Sequence, residues 1–332
     1  MTSAGKFALA GFAAGTVMAG APFACGIIFS LTRRPIDKNG FLHVEDGSLV
    51  TSDGKNVLLS GIDMNESSFT CFKDGIRSFD SEKEIFNQLE KRFGNYGARE
   101  IYGKGTESAL TPADIKLMKK AGISCLRIPL RQHLLFKNSD TKKQEPSLDR
   151  LDGIIKACRK AGIYVILSLA ADENDKELFD CGKKGFDKRN ELIKLWLKIA
   201  GHYKKEAAVA GYDLLDGLEC TESKKSDTLL KFYLRAAKAL RGTDDEHIVF
   251  IRGTYGDKEL KNIKDKNTAF CISGEGKPAK EHKAEKFPLI LLGSGDTQTD
   301  RLLEKGISCI SGSFKGKDEN SLYRIALPHI DI

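Results

Sequence analysis

Residues 160–171 read KAGIYVILSLAA, and this stretch decides the class of fold. A helical pattern over residues 148–162 ends at a glycine, which is the usual residue just past the end of a helix. The apolar run 164–169 follows almost at once. A nearly continuous apolar run, here interrupted only by Ser168, is typical of a parallel strand that is buried on both faces. The stretch therefore predicts a helix that packs back onto a buried parallel strand.

The same alternation of helix and strand continues on both sides of this stretch. A Thr111-Pro112 pair predicts the start of one helix, with a threonine cap and a proline at the first helical position. Further helical patterns cover 190–203 and 229–240. The predicted strands are 57–62, 124–128, 164–169, 210–215, 247–252, 268–273, 289–292 and 308–311.

Eight strands with helices between them predict an α/β protein of the (β/α)8 TIM barrel type. An open, doubly wound parallel sheet is the alternative. Residues 40–62 alternate apolar and polar side chains around Asp53-Gly54, which predicts a small N-terminal β-hairpin leading into the first strand.

Composition and charge exclude two classes of function. The net charge is +7 over 332 residues, but the lysines are dispersed and form no basic stripe with interleaved aromatics, so we expect no nucleic-acid partner. The eight cysteines include no C-x-x-C pair, and the six histidines show no ligand spacing. We therefore expect no metal and no cofactor.

The N-terminus differs from the rest of the chain. Residues 7–31 carry no charged side chain, with Lys6 before them and Arg33-Arg34 after them. Such a run is long enough to cross a bilayer. We predict that residues 1–35 are a signal anchor that contacts the membrane and that 36–332 form the barrel domain. A cleaved signal peptide and a hydrophobic helix packed on the domain are the alternatives, so the protein is expected to be membrane-anchored or secreted, with the side of the membrane open.

Several collinear segments resemble glycoside hydrolase family 5, the cellulase-like retaining glycosidases. They are KKAGISCLRIPL (119–130), KAGIYVILSLAA (160–171), AVAGYDLLDGLE (208–219), DDEHIVFIRG (244–253) and PLILLGSG (288–295). The resemblance covers nearly everything from residue 40 to the end. It implies a (β/α)8 barrel whose bottom is closed by a small hairpin.

The resemblance also implies where the catalytic pair would lie. In the family, Asn-Glu-Pro follows the fourth strand and carries the acid/base glutamate; the matching residues here are Asp216, Gly217 and Leu218. The family's nucleophile follows the seventh strand, and the matching residue is Ser294. Glycine has no group that transfers a proton, and a serine without an adjacent base is a poor nucleophile. We therefore expect no catalytic residue at either position.

Other polar residues near these positions keep two alternatives open. Glu219 and Asp296 each lie two residues beyond a matched position, and a relocated carboxylate pair would restore a glycosidase. Arg127 matches the family's active-site arginine, and a buried arginine needs an anionic partner. Asp216 is the nearest candidate, so Arg127 and Asp216 are predicted either to stabilise the barrel mouth or to remain as a vestigial substrate-binding pair.

These observations predict a family-5-like protein that is catalytically inactive. It would act as a binding or interaction module, with a glycan or protein ligand at the barrel mouth. An active glycoside hydrolase of the cellulase or glucanase type is the alternative, and a barrel that serves as a passive spacer is a third.

Overall fold

Eight parallel strands close into a barrel in the computed structural model of this protein. The strands are β3 (Ser60–Asp63), β4 (Cys125–Leu130), β5 (Tyr164–Ala170), β6 (Val209–Asp216), β7 (Ile248–Arg252), β8 (Thr268–Ser273), β9 (Leu289–Leu292) and β10 (Ser308–Ser313). They are paired in the order β10-β3-β4-β5-β6-β7-β8-β9, and the barrel closes where β10 pairs with β3. The predicted barrel is confirmed, and the alternative of an open sheet is excluded.

The helices lie between the strands in the chain, as the alternation predicts. They are α1 (Pro112–Lys120), α2 (Asp149–Ala161), α3 (Lys183–Tyr203), α4 (Ser223–Arg241) and the short α5 (Asp257–Leu260), with 3-10 turns at Lys38–Gly40 and Asp175–Phe179. The structure describes residues 34–64, 87, 89–94, 96–98, 110, 112–130, 135, 148–170, 175–216, 223–253, 255, 257–273, 286–293, 303 and 306–313.

The join between α2 and β5 has the conformation that the opening stretch predicts. Gly162 takes a φ of 75°, and its N–H donates to the Arg159 carbonyl. This left-handed residue ends the helix. The chain then enters β5, all of whose residues are buried except the half-exposed Ala170.

The predicted hairpin turn at Asp53-Gly54 is confirmed, and another hairpin, which was not predicted from the sequence, precedes it. Strands β1 (Leu42–Glu45) and β2 (Ser48–Thr51) pair antiparallel, and Asp46-Gly47 joins them with φ values of 47° and 74°. A two-residue hairpin loop of this kind needs positive φ at both positions, which an Asp-Gly pair supplies. At Asp53-Gly54 the chain turns back again, so that Val50 forms an antiparallel bridge with Asn56 on the way to β3.

The hairpin region packs against the N-terminal ends of the barrel strands. The hydroxyl of Tyr164, the first residue of β5, donates to the Gly40 carbonyl at 2.8 Å. Val44 donates its backbone N–H to Asn267, just before β8, at 2.7 Å. The Phe41 ring lies 4.9 Å from the His247 ring, just before β7. The opposite, C-terminal end of the barrel is therefore the end left for a functional site, as in other (β/α)8 proteins.

The core fills the barrel and the layer between strands and helices. Trp196 of α3 is fully buried, and its indole N–H donates to the Leu214 carbonyl of β6 at 3.0 Å. Trp196 is therefore a packing residue of the layer between α3 and β6. Between β6 and β7, a Cβ on Gly211 would lie 2.1 Å from the Ile248 carbonyl oxygen, so this position is restricted to glycine.

The apolar run 7–31 lies outside the residues that the structure describes. Within the described part of the chain, no helix combines the length and the apolar character needed to cross a membrane.

Candidate functional site at the barrel mouth

Charged side chains from four strands meet at the C-terminal end of the barrel. Asp63, Asp216 and Arg252 are the last residues of β3, β6 and β7. Arg127 of β4 and Asp213 of β6 point into the same interior space, because they contact these residues directly. We call these five residues the mouth cluster.

Arg127 is the centre of the mouth cluster. Its side chain is only 2% exposed, and its Nη1 lies 2.5 Å from Asp63 Oδ2. Its Nη2 lies 2.6 Å from Asp213 Oδ2 and 2.7 Å from Asp216 Oδ2, and it also donates to the Ser168 hydroxyl at 2.6 Å. One guanidinium nitrogen thus faces three oxygen atoms, although it carries only two N–H groups.

Arg252 supplies a second guanidinium group. Its Nη2 lies 3.1 Å from Asp213 Oδ2 and 2.6 Å from Asp216 Oδ1. Asp216 therefore bridges the two arginines with its two oxygen atoms, one to each. Because the side chain of Arg252 is 8% exposed, its charge is almost fully removed from water and depends on these carboxylates.

A register shift between β5 and β6 lets both aspartates of β6 face the interior. Ser168 pairs with Asp213, but the next recorded pair is Ala170 with Asp216, so β6 has one more residue than β5 over this step. Two residues three apart on a regular strand would point to opposite faces. The extra residue is a bulge, and bulges commonly re-aim side chains beside sites.

The guanidinium groups and burial set the charge states of the cluster. Burial would raise the pKa of the Asp213 carboxyl, but Arg252 and Arg127 outweigh it and hold that pKa at about 2. Asp213 is therefore ionised near neutral pH. Burial raises the pKa of Asp63, and the neighbouring Asp216 raises it further, while Arg127 opposes both. Burial would lower the pKa of Arg127, yet the aspartates raise it well above its usual range.

The structure brings the predicted pair together and adds partners that sequence reasoning missed. Arg127 and Asp216 are in contact, as expected, but the fully buried partner of Arg127 is Asp213. Arg252 and Asp63 were also missed. The signal for Arg252 was a charged residue at the end of the apolar strand IVFIR, because a buried charge requires a partner.

The other candidate residues lie outside the described residues. These are Gly217, Ser294, Glu219 and Asp296. Two of them directly follow described residues in the chain. Gly217 comes after Asp216, the last residue of β6, and Ser294 comes after Gly293.

The mouth cluster has a narrow chemical repertoire. Asp213 has no exposed surface and a low pKa, so it cannot serve as a general acid near neutral pH. Asp216 and Asp63 are each 23% exposed and are the carboxylates that a ligand could approach. Within the described residues, no group of three or more His, Cys, Asp or Glu side chains is arranged to hold a metal ion.

Comparison with known proteins identifies the family of this barrel. The model of the cellulase family, glycosyl hydrolase family 5, matches residues 80–327, well over half of the chain. The chain belongs to glycosyl hydrolase family 5. A curated relative is a beta-xylosidase from Phanerodontia chrysosporium, 27% identical over 251 residues that cover 70% of this chain and 51% of the relative. The chain thus spans about half the length of the curated relative it matches.

Solved structures of similar fold agree with the barrel. An endogalactoceramidase has a TM-score of 0.58 at 16% identity, over 82% of this chain and 74% of that one. A substituted endocellulase from Pyrococcus horikoshii in complex with cellotetraose has a TM-score of 0.53 at 14% identity, over 86% of this chain and 98% of that one. At these identities the likeness establishes the fold alone.

Proposed function

We propose that this family 5 protein binds a glycan at the barrel mouth without hydrolysing it. The observation that carries the proposal is the satisfied state of Arg127. Its Nη2 already faces Asp213, Asp216 and Ser168, and its Nη1 contacts Asp63. The arginine that the family resemblance pairs with a nucleophile is thus neutralised by the protein's own aspartates.

The residues at the matched catalytic positions support the same proposal. A retaining glycosidase needs two carboxyl groups about 5–5.5 Å apart, one to transfer protons and one to attack the sugar. Gly217 and Ser294 supply neither. Losing general acid/base catalysis alone typically lowers a rate by about 10²–10⁴.

Binding is a separate matter from catalysis, and two features support a glycan ligand. Asp216 and Asp63 are partly exposed at the C-terminal end of the barrel, where (β/α)8 proteins bind ligands. Carboxylate oxygens accept hydrogen bonds from sugar hydroxyls. One of the structural neighbours was solved with cellotetraose.

An active glycoside hydrolase is the second candidate, favoured by the similarity to a beta-xylosidase. In that case Glu219 and Asp296 would be the relocated carboxylates, and a cellulase-type or xylosidase-type substrate would be cleaved. The two candidates differ in whether sugar is released.

The test combines turnover with binding. The full-length protein is incubated with cello-, xylo- and manno-oligosaccharides, and reducing-sugar release and thermal shift are both measured. We expect no release, together with a rise in melting temperature for one class of oligosaccharide. The rise should be lost in Asp216→Asn and kept in Asp265→Asn, whose carboxylate pairs with Arg241 at the opposite end of the barrel.

Two results would overturn the proposal. Release of sugar that is lost in a Glu219→Gln/Asp296→Asn variant would establish an active hydrolase with relocated acids. Neither release nor a thermal shift with any oligosaccharide would establish that the barrel is not a glycan-binding module.

A further inference from the structure

The mouth cluster contains more negative than positive charge. Within the described residues it joins three carboxylates, those of Asp63, Asp213 and Asp216, to two guanidinium groups, those of Arg127 and Arg252. The remaining member of the network, the Ser168 hydroxyl, is uncharged. One carboxylate is therefore in excess in a largely buried setting, where an uncompensated charge is unfavourable.

The contacts identify which carboxylate is least compensated. Asp213 lies within ion-pair distance of both arginines, and Asp216 uses one oxygen for each. Of the two arginines, Asp63 pairs with Arg127, through Oδ2, and no ion pair with Arg252 is formed among the described residues. Its other oxygen, Oδ1, is buried and has no hydrogen-bond partner among the described residues.

The surroundings of Asp63 offer no further compensation among the described residues. The charged groups that face it are Arg127 on β4, Asp216 on β6 and, at longer range, Arg252 on β7. On its other side, the backbone of Asp63 is in register with Ser313 of β10. Burial and Asp216 favour the neutral form of Asp63, and together they outweigh the arginines, since the pKa of Asp63 is raised.

We propose that Asp63 is a proton-uptake site that makes the folded barrel more stable in mildly acidic than in neutral or alkaline solution. A proton on Asp63 leaves two carboxylates for two guanidinium groups, so the cluster becomes neutral. Arg127 remains charged and keeps its contacts with Asp213 and Asp216. The unfolded chain has no such cluster, so its Asp63 takes up a proton only at lower pH.

The sign of the effect follows from linkage. The folded state binds the proton of Asp63 at a higher pH than the unfolded state does, so the destabilising charge is fully present above the folded pKa. The destabilisation decreases as the pH falls through that pKa and Asp63 takes up a proton. It stops changing once the unfolded chain also takes up a proton at this residue, at about pH 3.9. Asp213 acts in the opposite sense, and its contribution is lost as the pH falls towards its pKa of about 2. The combined contribution of these two carboxyls therefore favours the folded state most on the acidic side of neutrality.

The experiment measures urea unfolding of the full-length protein at several values between about pH 5 and about pH 8. In the wild type, the unfolding equilibrium constant should fall as the pH is lowered, by at most about tenfold for each pH unit. Asp63→Asn imitates the neutral carboxyl and should remove most of this fall. The variant should also be at least as stable as the wild type at about pH 8.

A matched control and a direct measurement keep the test decisive. Asp265→Asn removes a carboxylate that pairs one-to-one with Arg241, and this variant should keep the wild-type dependence on pH. Infrared spectra of the native protein should show a protonated carboxyl band that grows on mild acidification and is absent in Asp63→Asn. A wild type that gains no stability in acid, or an Asp63→Asn variant with the full wild-type dependence, would overturn the proposal. If Asp63→Asn does not fold, the absence of the band in the wild type would do so.

Discussion

Replacing Asp213 with asparagine tests whether the mouth cluster stabilises the barrel. Asp213 has no exposed surface and lies within 2.6 Å of Arg127 and 3.1 Å of Arg252. Its pKa falls from an ordinary 3.8 to about 2. At about 1.4 kcal/mol per pKa unit, the charged form contributes about 2 kcal/mol relative to the neutral form. Breaking a buried ion pair typically costs about 3–5 kcal/mol, so we expect Asp213→Asn to lose about 2–4 kcal/mol near neutral pH.

The loss of stability in Asp213→Asn should depend on pH in a defined direction. The folded pKa of Asp213 is depressed, so its contribution is present above about pH 3.9 and is lost as the pH falls towards about 2. The difference between wild type and Asp213→Asn should therefore shrink over that window. Urea unfolding followed by circular dichroism measures it at each pH.

The control is Asp265→Asn, because Asp265 also binds an arginine but is 16% exposed. We expect it to cost about 1 kcal/mol, because its two hydrogen bonds with Arg241 lie in a partly solvated place where water can substitute for them. An Asp213→Asn variant as stable as the wild type near neutral pH would refute the reasoning. That result would mean that lowering the net negative charge of the mouth cluster outweighs the lost contacts of Asp213 with two arginines.

The remaining predictions concern packing and a buried hydrogen bond, and each is tested by measuring the free energy of unfolding. Gly211→Ala should destabilise the barrel by at least about 3 kcal/mol, because the new methyl group would overlap the Ile248 carbonyl oxygen. A methyl group at Gly153 in α2 would meet open space, so Gly153→Ala should instead stabilise the protein by about 0.5–1 kcal/mol. Equal effects of the two substitutions would contradict the close contact between Gly211 of β6 and the Ile248 carbonyl of β7. Trp196→Phe should cost about 1–3 kcal/mol because the Leu214 carbonyl loses its buried donor. A free energy of unfolding equal to that of the wild type within error would show that water replaces the indole N–H as the donor to Leu214.

Much of the barrel could be predicted from local patterns. Strands β8 and β9 have the predicted bounds, and β5 differs by one residue. These segments are short apolar runs bounded by turn signals, so their secondary structure depends little on distant contacts. The hairpins show the limit, because the turn at Asp53-Gly54 was predicted and the turn at Asp46-Gly47 was not, although the two pairs have the same composition.

The candidate site was predicted only in part, for a related reason. Arg127 and Asp216 could be named because each occupies a position that the family resemblance singles out. Asp213 lies three residues before Asp216, and alternation along a regular strand would have placed it on the opposite face. The bulge between β5 and β6 changes that, and nothing in the sequence of β6 alone reports it.

The sequence by itself determined the barrel, the positions of its strands and the absence of a glutamate at positions 217 and 294. These properties depend on residue identity and on periodicities that each segment carries independently. Tertiary structure decided that Arg127 shares its carboxylates with Arg252, and that one buried oxygen of Asp63 has no hydrogen-bond partner within the described part of the chain. The physical reason is that charge compensation in a buried cluster depends on distances between strands far apart in the chain, and closing the barrel sets those distances.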